Sequence, residues 1–190
     1  MTLAADQLFR SLDSVTWLIT SRSGDRTGGL IATYVTQASI VDDRPRLMVG
    51  LAKHHWTQQL IAESGVFVAH LISEHQIEWA LPFGTCSGRD VDKLAGLATE
   101  SHATGAPVLA DAAGWLECRV EQGMDAGDRQ WYLAEVVEAS WTKDFKPLTI
   151  SRLLQLVDDD TAETLEKQYC QDSLIDREEI DRWRAGRKSP

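Results

Sequence analysis

Cysteine is scarce in this sequence of 190 residues. The three that occur, Cys86, Cys118 and Cys170, are scattered and form no C-x-x-C pair. A disulfide framework or a thiolate zinc site is therefore not expected, and free thiols are typical of a reducing compartment. A chain of this length can bury a full core without either kind of cross-link.

Clusters of positive charge and long apolar runs are also missing. The formal net charge is −10, and no group of lysines and arginines precedes the C-terminal tail, so nucleic acid is not an expected partner. The longest apolar stretch, residues 66–72, is too short to span a bilayer, and the first ten residues lack the features of a signal peptide. The sequence predicts a cytoplasmic protein with no membrane partner.

Enzyme signature motifs are absent as well. The chain has no G-x-S-x-G, no H-E-x-x-H, no P-loop and no G-x-G-x-x-G after a strand. No catalytic residue can be assigned from such motifs, and a nicotinamide cofactor, if one is used, is not bound by a Rossmann domain.

The sequence does contain β-branched and aromatic segments at the spacing of short strands. Strands are predicted over residues 14–20, 28–39, 45–52, 66–73, 115–122 and 130–141, the last two forming a hairpin across 123–129. Short helices are predicted at 57–64, with Thr57 as N-cap and Gly65 as the stop, and at 74–81 before Pro82. This pattern indicates a mainly β protein built as a closed or half-closed barrel.

The C-terminal tail differs in composition. From Asp158 onward it is strongly charged, and two helices are predicted, at 162–170 and 176–185, the second starting with a capping box from Asp176 to Glu179. We expect a barrel domain over 1–157 and a charged helical extension over 158–190. The extension either packs on the barrel or a partner subunit, or is only partly ordered.

Three segments are candidates for a binding site. The loop FGTCSGRDVDK at 83–93 offers glycines, hydroxyls and Arg89, although Asp90 and Asp92 could instead pair with Arg89 and stiffen the loop. The segment 52–57 enters a helix whose N-terminus favours an anion, although Thr57 could be only a cap. The strand 32–39 carries small and hydroxylated residues beside which a flat ring could lie, but an ordinary half-buried strand looks the same.

The adjacent pair His54-His55 raises the question of a metal. Neighbouring residues of a strand point to opposite faces, and no third ligand is evident in the sequence. No metal site is therefore predicted.

Taken in order, these segments resemble the flavin reductase-like, FMN-binding split-barrel family, in particular its flavoredoxin-type branch. The resemblance rests on ATYVTQAS at 32–39, RPRLMVGLAKHHWT at 44–57, LIAESGVFVAHLISEHQ at 60–76 and the loop at 83–93, with a weaker match at 105–118. It covers roughly residues 10–145. It implies a six-stranded Greek-key split barrel that forms a homodimer, with FMN near the subunit interface.

The resemblance also implies roles for individual residues in cofactor binding. Beside the isoalloxazine would lie Thr33, Tyr34, Val35 and Thr36, with Ala38 and Ser39 along its polar edge. The ribityl phosphate would be held by Ala52, Lys53, His55 and Thr57. From the loop, Ser87, Arg89 and Lys93 would close the site.

One position departs from the family pattern. Many of its reductases have Gly-Asp-His on the late hairpin, where this chain has Gly127-Asp128-Arg129. Arginine cannot titrate near neutral pH as the histidine does, although it could hold a nucleotide phosphate. Two functions therefore stay open: a flavin reductase that passes a hydride from NAD(P)H to FMN, or an FMN-binding electron carrier reduced by a redox protein partner. A third, less favoured, is a ligand-binding module whose flavin site has decayed.

Overall fold

The computed structural model describes residues 2–142 and 144–187. Nine strands and five helices follow one another in this part of the chain, with a short 3₁₀ turn, Glu74–Gln76, before α3. In chain order the elements are α1 (Thr2–Arg10), β1 (Trp17–Ser23), β2 (Arg26–Ala32), β3 (Val35–Gln37), β4 (Arg46–Ala52), α2 (Trp56–Ser64), β5 (Val66–Leu71), α3 (Ile77–Thr85), β6 (Thr99–Ser101), β7 (Pro107–Leu109), β8 (Gly114–Asp125), β9 (Arg129–Trp141), α4 (Ile150–Leu156) and α5 (Asp159–Gly186).

Seven strands form one antiparallel sheet in the order β2-β1-β5-β8-β9-β4-β3. Its two edge strands, β2 and β3, are separated in the chain only by Thr33 and Tyr34. The three Cα–Cα steps from one edge to the other span at most roughly 10 Å, so the edges of the sheet must meet at this corner. The sheet is therefore curled, and the predicted mainly β split barrel is confirmed.

The strand boundaries differ from the sequence prediction in several places, the first being β1, which spans Trp17–Ser23 instead of residues 14–20. The single strand expected at 28–39 is broken at Thr33 and Tyr34 because the chain crosses there from one edge of the sheet to the other, which makes seven strands instead of six. The hairpin loop is shorter than expected, since β8 continues to Asp125 and β9 begins at Arg129. Two further short strands, β6 and β7, pair with each other in a small second sheet.

Strand β1 is buried on both faces, and this places the helices. Ile19 belongs to the barrel interior together with Phe67 and Tyr132. Its neighbour Leu18 points the other way, into a second apolar cluster that includes Phe83 of α3. Because successive strand residues face opposite sides, one strand supplies both cores. Helices α3 and α4 thus pack on the outside of the barrel.

Two short helices have other boundaries than predicted. Helix α2 begins at Trp56 with His55 in the N-cap position, so Thr57 lies within the first turn and is not the cap. Helix α3 does not stop before Pro82 but runs through it to Thr85, which shortens the predicted loop at 83–93. Pro82 removes one backbone donor from the helix. The helix nevertheless continues past it, because Phe83 is packed in the second apolar cluster.

The tail forms one helix of 28 residues instead of the two predicted. Asp158 caps it by accepting from the backbone N–H of Thr161 at 2.7 Å. The helix is continuous because no proline or glycine interrupts residues 159–185. Asp176 is therefore an interior position of α5 and not the start of a second helix. No helix in the described residues is long and apolar enough to cross a membrane.

A buried histidine ties strand β5 to two neighbouring segments. His70 is 0% exposed, its Nδ1 lies 2.9 Å from the carbonyl oxygen of Leu18, and its Nε2 accepts from the N–H of Leu109 at 3.0 Å. This pair of bonds requires a neutral ring with the proton on Nδ1. Burial lowers the pKa of His70 to about 4, although the hydrogen bond to Leu18 opposes this.

This histidine makes stability depend on pH. An unfolded histidine has a pKa of about 6.5, so between the two pKa values protons bind preferentially to the unfolded chain. The stability from neutral His70 is complete above pH 6.5 and should decrease by up to about 3 kcal/mol as the pH falls to 4. Denaturant unfolding of the native chain and of His70→Gln, measured from pH 7 to 4, should show the difference between them shrinking with acidity. A difference that does not change with pH would contradict this assignment.

Candidate functional site

A cleft of about 550 Å³ opens between the first turn of α2, the loop after α3 and one face of α5. Its volume is typical of small-molecule sites, which usually enclose about 300–1,000 Å³. The walls are mostly apolar on the side of β2, α3 and α4, and polar residues gather where α2 begins. Such a cleft suits a ligand with an apolar body and a charged end.

The polar end of the cleft is the start of α2. Strand β4 ends at Ala52, a turn follows, and the helix begins at Trp56 with an N-cap residue, His55, whose side chain makes no capping hydrogen bond to the described residues. The unpaired N–H groups of the first helical turn attract an anion. Trp56 lies against β2, where its indole donates to the carbonyl of Thr27 at 3.1 Å. Only glycine at position 28 allows this contact, because a Cβ there would lie 2.8 Å from the indole ring of Trp56.

The loop after α3 folds over the same turn. A Cβ at Gly88 would come within 2.8 Å of the Trp56 ring, so the loop backbone lies directly on the indole. Arg89 donates from Nη2 to the carbonyl of His54 at 3.1 Å, and its Cζ lies 5.8 Å from the centroid of the Trp56 ring. These contacts hold the guanidinium at the cleft.

Lys93 is the second cation of the loop. Its Nζ donates to the carbonyl of Phe83 at 3.2 Å and lies 5.6 Å from the centroid of that ring. Burial lowers the pKa of Lys93 to about 8, with Cys86 acting in the opposite direction. An anion bound beside this ammonium would favour its charged form.

Five of the predicted site residues thus meet in one place. The cleft is lined by His55, Thr57, Ser87, Arg89 and Lys93, which come from two segments of the sequence. Two others predicted for the phosphate do not line it. Ala52 is buried at the end of β4, and Lys53 pairs with Asp125 across a distance of 2.6 Å between Nζ and Oδ1.

The six residues predicted to contact the isoalloxazine lie elsewhere. They occupy the crossing between β2 and β3 and the strand β3 with its continuation: Thr33, Tyr34, Val35, Thr36, Ala38 and Ser39. Tyr34 packs near Trp131, with ring centroids 6.1 Å apart, and Arg129 covers its ring at 4.7 Å. Ala38 and Ser39 line a separate recess with Ile40 and Val41.

Helix α5 lies between these two groups of residues. Asp176 accepts from Arg129 at 2.9 Å on the side of Tyr34, and its other oxygen lies 3.8 Å from Nδ1 of His54 on the side of the cleft. Burial raises the pKa of Asp176, although the charge of Arg129 counteracts it. Near the hairpin tip, a Cβ at Gly127 would lie 3.1 Å from Cβ of Trp183, so the helix packs closely there.

Several cleft residues were not found from the sequence. Trp56 and Phe83 lie within the quoted motifs and could have been identified by position. Tyr169 and Asp172 belong to α5, and nothing in the sequence indicates which part of the chain this helix packs against. His54 was considered only as half of an unsupported metal pair.

Comparison with known proteins assigns the fold to a family. The sequence model of the flavin reductase like domain matches residues 9–153. The chain belongs to the flavin reductase like domain family. The resemblance inferred from the motifs is thereby confirmed, and helix α5 lies wholly outside the matched residues.

Three known proteins show how much of this chain is similar to them in sequence or in structure. High molecular weight rubredoxin of Moorella thermoacetica is 33% identical over 135 residues, which are 70% of this chain but 58% of that protein. A structure of a putative flavin reductase from Haemophilus somnus has a TM-score of 0.71 at 15% identity and covers 78% of this chain and 94% of its own. The FMN-binding protein from Thermus thermophilus has a TM-score of 0.63 at 24% identity, covering 68% of this chain and 73% of its own. These two structures share the fold of this flavin reductase like chain.

Proposed function

We propose that this chain binds FMN with its phosphate at the start of α2. The observation that carries the proposal is the convergence of Arg89, Lys93 and the uncapped first turn of α2 in one cleft. A phosphate dianion matches this donor set, because helix N-terminal amides, a guanidinium and an ammonium all favour negative charge. The FMN-binding protein of similar fold supports the choice of flavin.

The other contacts of the cofactor remain proposals from the family resemblance. Thr57 and Ser87 supply hydroxyls in the cleft, and His55 stands at its edge. The isoalloxazine would reach the segment from Thr33 to Ser39, which the ion pair between Asp176 of α5 and Arg129 of β9 separates from the cleft. Binding of the ring in that segment would therefore require this ion pair to rearrange.

The first test is a titration of the protein with FMN. Replacing Arg89 with alanine should weaken FMN binding by about tenfold, or about 1.4 kcal/mol, the size of one hydrogen bond to a charged group. The matched control is Arg22→Ala, an exposed arginine of β1 that does not line the cleft. Equal affinity in both variants, measured by flavin fluorescence, would remove Arg89 from the site.

Thr57→Ala should also weaken FMN binding in the same titration. Loss of a helix cap is not a competing cause, because His55 holds the N-cap position.

We further propose that the bound flavin accepts a hydride from NAD(P)H. A flavin supplies this chemistry itself, and the protein residues orient the two partners, so the absence of an assigned acid or base is no obstacle. The family to which the chain belongs supports the proposal.

A second candidate function is electron transfer from a protein donor. Where many reductases of the family have histidine, this chain has Arg129. Its Nη2 lies 2.9 Å from Oδ2 of Asp176, and its Nε lies 3.2 Å from Oδ2 of Asp128. Its guanidinium is therefore engaged by two carboxylates and not presented to a nucleotide. The acidic surface suits a basic redox protein, and the three free cysteines are compatible with the predicted cytoplasmic location.

The absorption spectrum distinguishes the two functions. We expect the visible flavin bands of the FMN-loaded protein to bleach when NADH or NADPH is added without oxygen. Persistent bands that a chemical reductant still bleaches would instead favour the electron carrier. An unloaded protein that takes up no FMN would contradict both and favour the decayed ligand-binding module.

We also propose that the protein is a homodimer through the side of β3. This edge strand is followed by Ile40 and Val41, which are 92% and 50% exposed, and Tyr34 next to it is 51% exposed. Apolar groups clustered at a sheet edge are typical of an interface. Light scattering should give twice the chain mass of 21.2 kDa, and Ile40→Glu should reduce it to the monomer mass. A native chain that is monomeric at all concentrations would contradict the proposal.

A further inference from the structure

The two adjacent histidines do not point apart as a strand would require. Strand β4 has already ended at Ala52, and the N–H of His55 donates back to the carbonyl of Ala52 at 3.1 Å, which closes a turn. In this turn the rings of His54 and His55 lie side by side, with centroids 4.4 Å apart. Both line the cleft, and Asp172 of α5 lies opposite them. The third residue that the sequence did not reveal is therefore present in the fold.

The distances in this cluster are longer than those of good hydrogen bonds. Nε2 of His54 lies 3.4 Å from Oδ1 of Asp172, and Nε2 of His55 lies 3.7 Å from its Oδ2. Ligand bonds of about 2.0–2.2 Å in a tetrahedral zinc site place neighbouring ligand atoms roughly 3.3 Å apart. The first distance matches that spacing and the second is close to it. One ligand atom from each of the three residues lies within 4.8 Å of those of the other two.

Unpaired buried atoms point to the same conclusion. Nε2 of His54 is inaccessible to solvent and has no hydrogen-bond partner among the described residues, and the same is true of Oδ1 of Asp176, which faces the other nitrogen of that ring. A metal on Nε2 would satisfy the first atom and leave the proton on Nδ1, directed toward the second. Gln168 donates to Oδ1 of Asp172 at 2.9 Å and so orients the third ligand.

We propose that His54, His55 and Asp172 bind one divalent transition-metal ion, zinc being the expected one, with water in the fourth position. Two imidazoles and a carboxylate are ligands that zinc prefers. Because Asp172 belongs to α5 and the histidines precede α2, the ion would link the C-terminal helix to the start of α2 at the cleft. The site lies partly outside the residues shared with the family, since α5 does.

The test uses the full-length protein, freed of metal by a chelator, and no flavin. Titration with Zn²⁺ in a calorimeter should show one ion bound per chain, and Co²⁺ should give the visible absorption bands of a tetrahedral site. Both readouts are independent of FMN, so a failure of the flavin proposal would leave them unchanged. Absence of stoichiometric binding by the native chain would overturn the metal site.

Matched variants on one helix locate the ion. Asp172→Asn should weaken Zn²⁺ binding by more than about tenfold, the smallest loss expected even for an outer-shell partner. Glu166→Gln, an exposed carboxylate of α5 that also lines the cleft, should bind as the native chain does. His54→Gln gives a second measure if Asp172→Asn is unstable, and circular dichroism of the metal-free variants checks their folding. Equal affinity in Asp172→Asn and Glu166→Gln would overturn the proposal.

Cys86 is the competing ligand to exclude, because it is an exposed thiol that lines the cleft. Coordination by a thiolate would add an intense near-ultraviolet charge-transfer band to the Co²⁺ spectrum. That band, or a loss of affinity in Cys86→Ser and not in Asp172→Asn, would assign the ion to the cysteine and overturn the site proposed here. Unchanged affinity in Cys86→Ser is the expected result.

Discussion

The crossing of the chain at Thr33 and Tyr34 is the constraint on which the rest of the structure depends. Two residues connect opposite edges of a seven-stranded sheet, so the sheet has to curl until those edges meet. Curling leaves β2 with one face inside the barrel and one face outside. Its two successive glycines receive one helix on each face, since Gly28 faces Trp56 of α2 and Gly29 faces Phe83 of α3. The start of α2 and the end of α3 are thereby both held against β2. The cleft is thus a consequence of how the sheet closes.

Much of the barrel could be predicted because its signals are local. Segments such as 45–52 and 66–73 carry β-branched residues between polar turns, and each is found as a strand with nearly the expected bounds. The break in the strand at 28–39 was missed because Thr33 and Tyr34 are themselves good strand residues. Their conformation is decided by which edge the chain must join, which is a property of the whole sheet.

Part of the candidate site could likewise be predicted from local sequence patterns, and part depends on contacts between distant segments of the chain. The predicted cleft residues between 55 and 93 belong to two segments, a helix start and a loop, that local patterns and the family resemblance had each indicated. Asp172 and Asp176 could not be assigned, because the tail pattern indicates a helix but not its neighbours. The two adjacent histidines were expected to point apart because a strand was predicted there, but β4 ends two residues before His54 and the rings lie 4.4 Å apart.

The charge of α5 bears on how quickly any ligand arrives. The helix has nine acidic and four basic residues, and one face of it lines the same cleft as the cations Arg89 and Lys93. An approaching anion is therefore repelled by this helix and by a chain with a net charge of −10, and it is attracted by the two cations at short range. At physiological ionic strength the screening length is about 8 Å, so salt screens the repulsion from acidic groups beyond that distance more than the attraction of the cations in direct contact. Association of an anionic ligand should accordingly accelerate with added salt, the reverse of electrostatic steering.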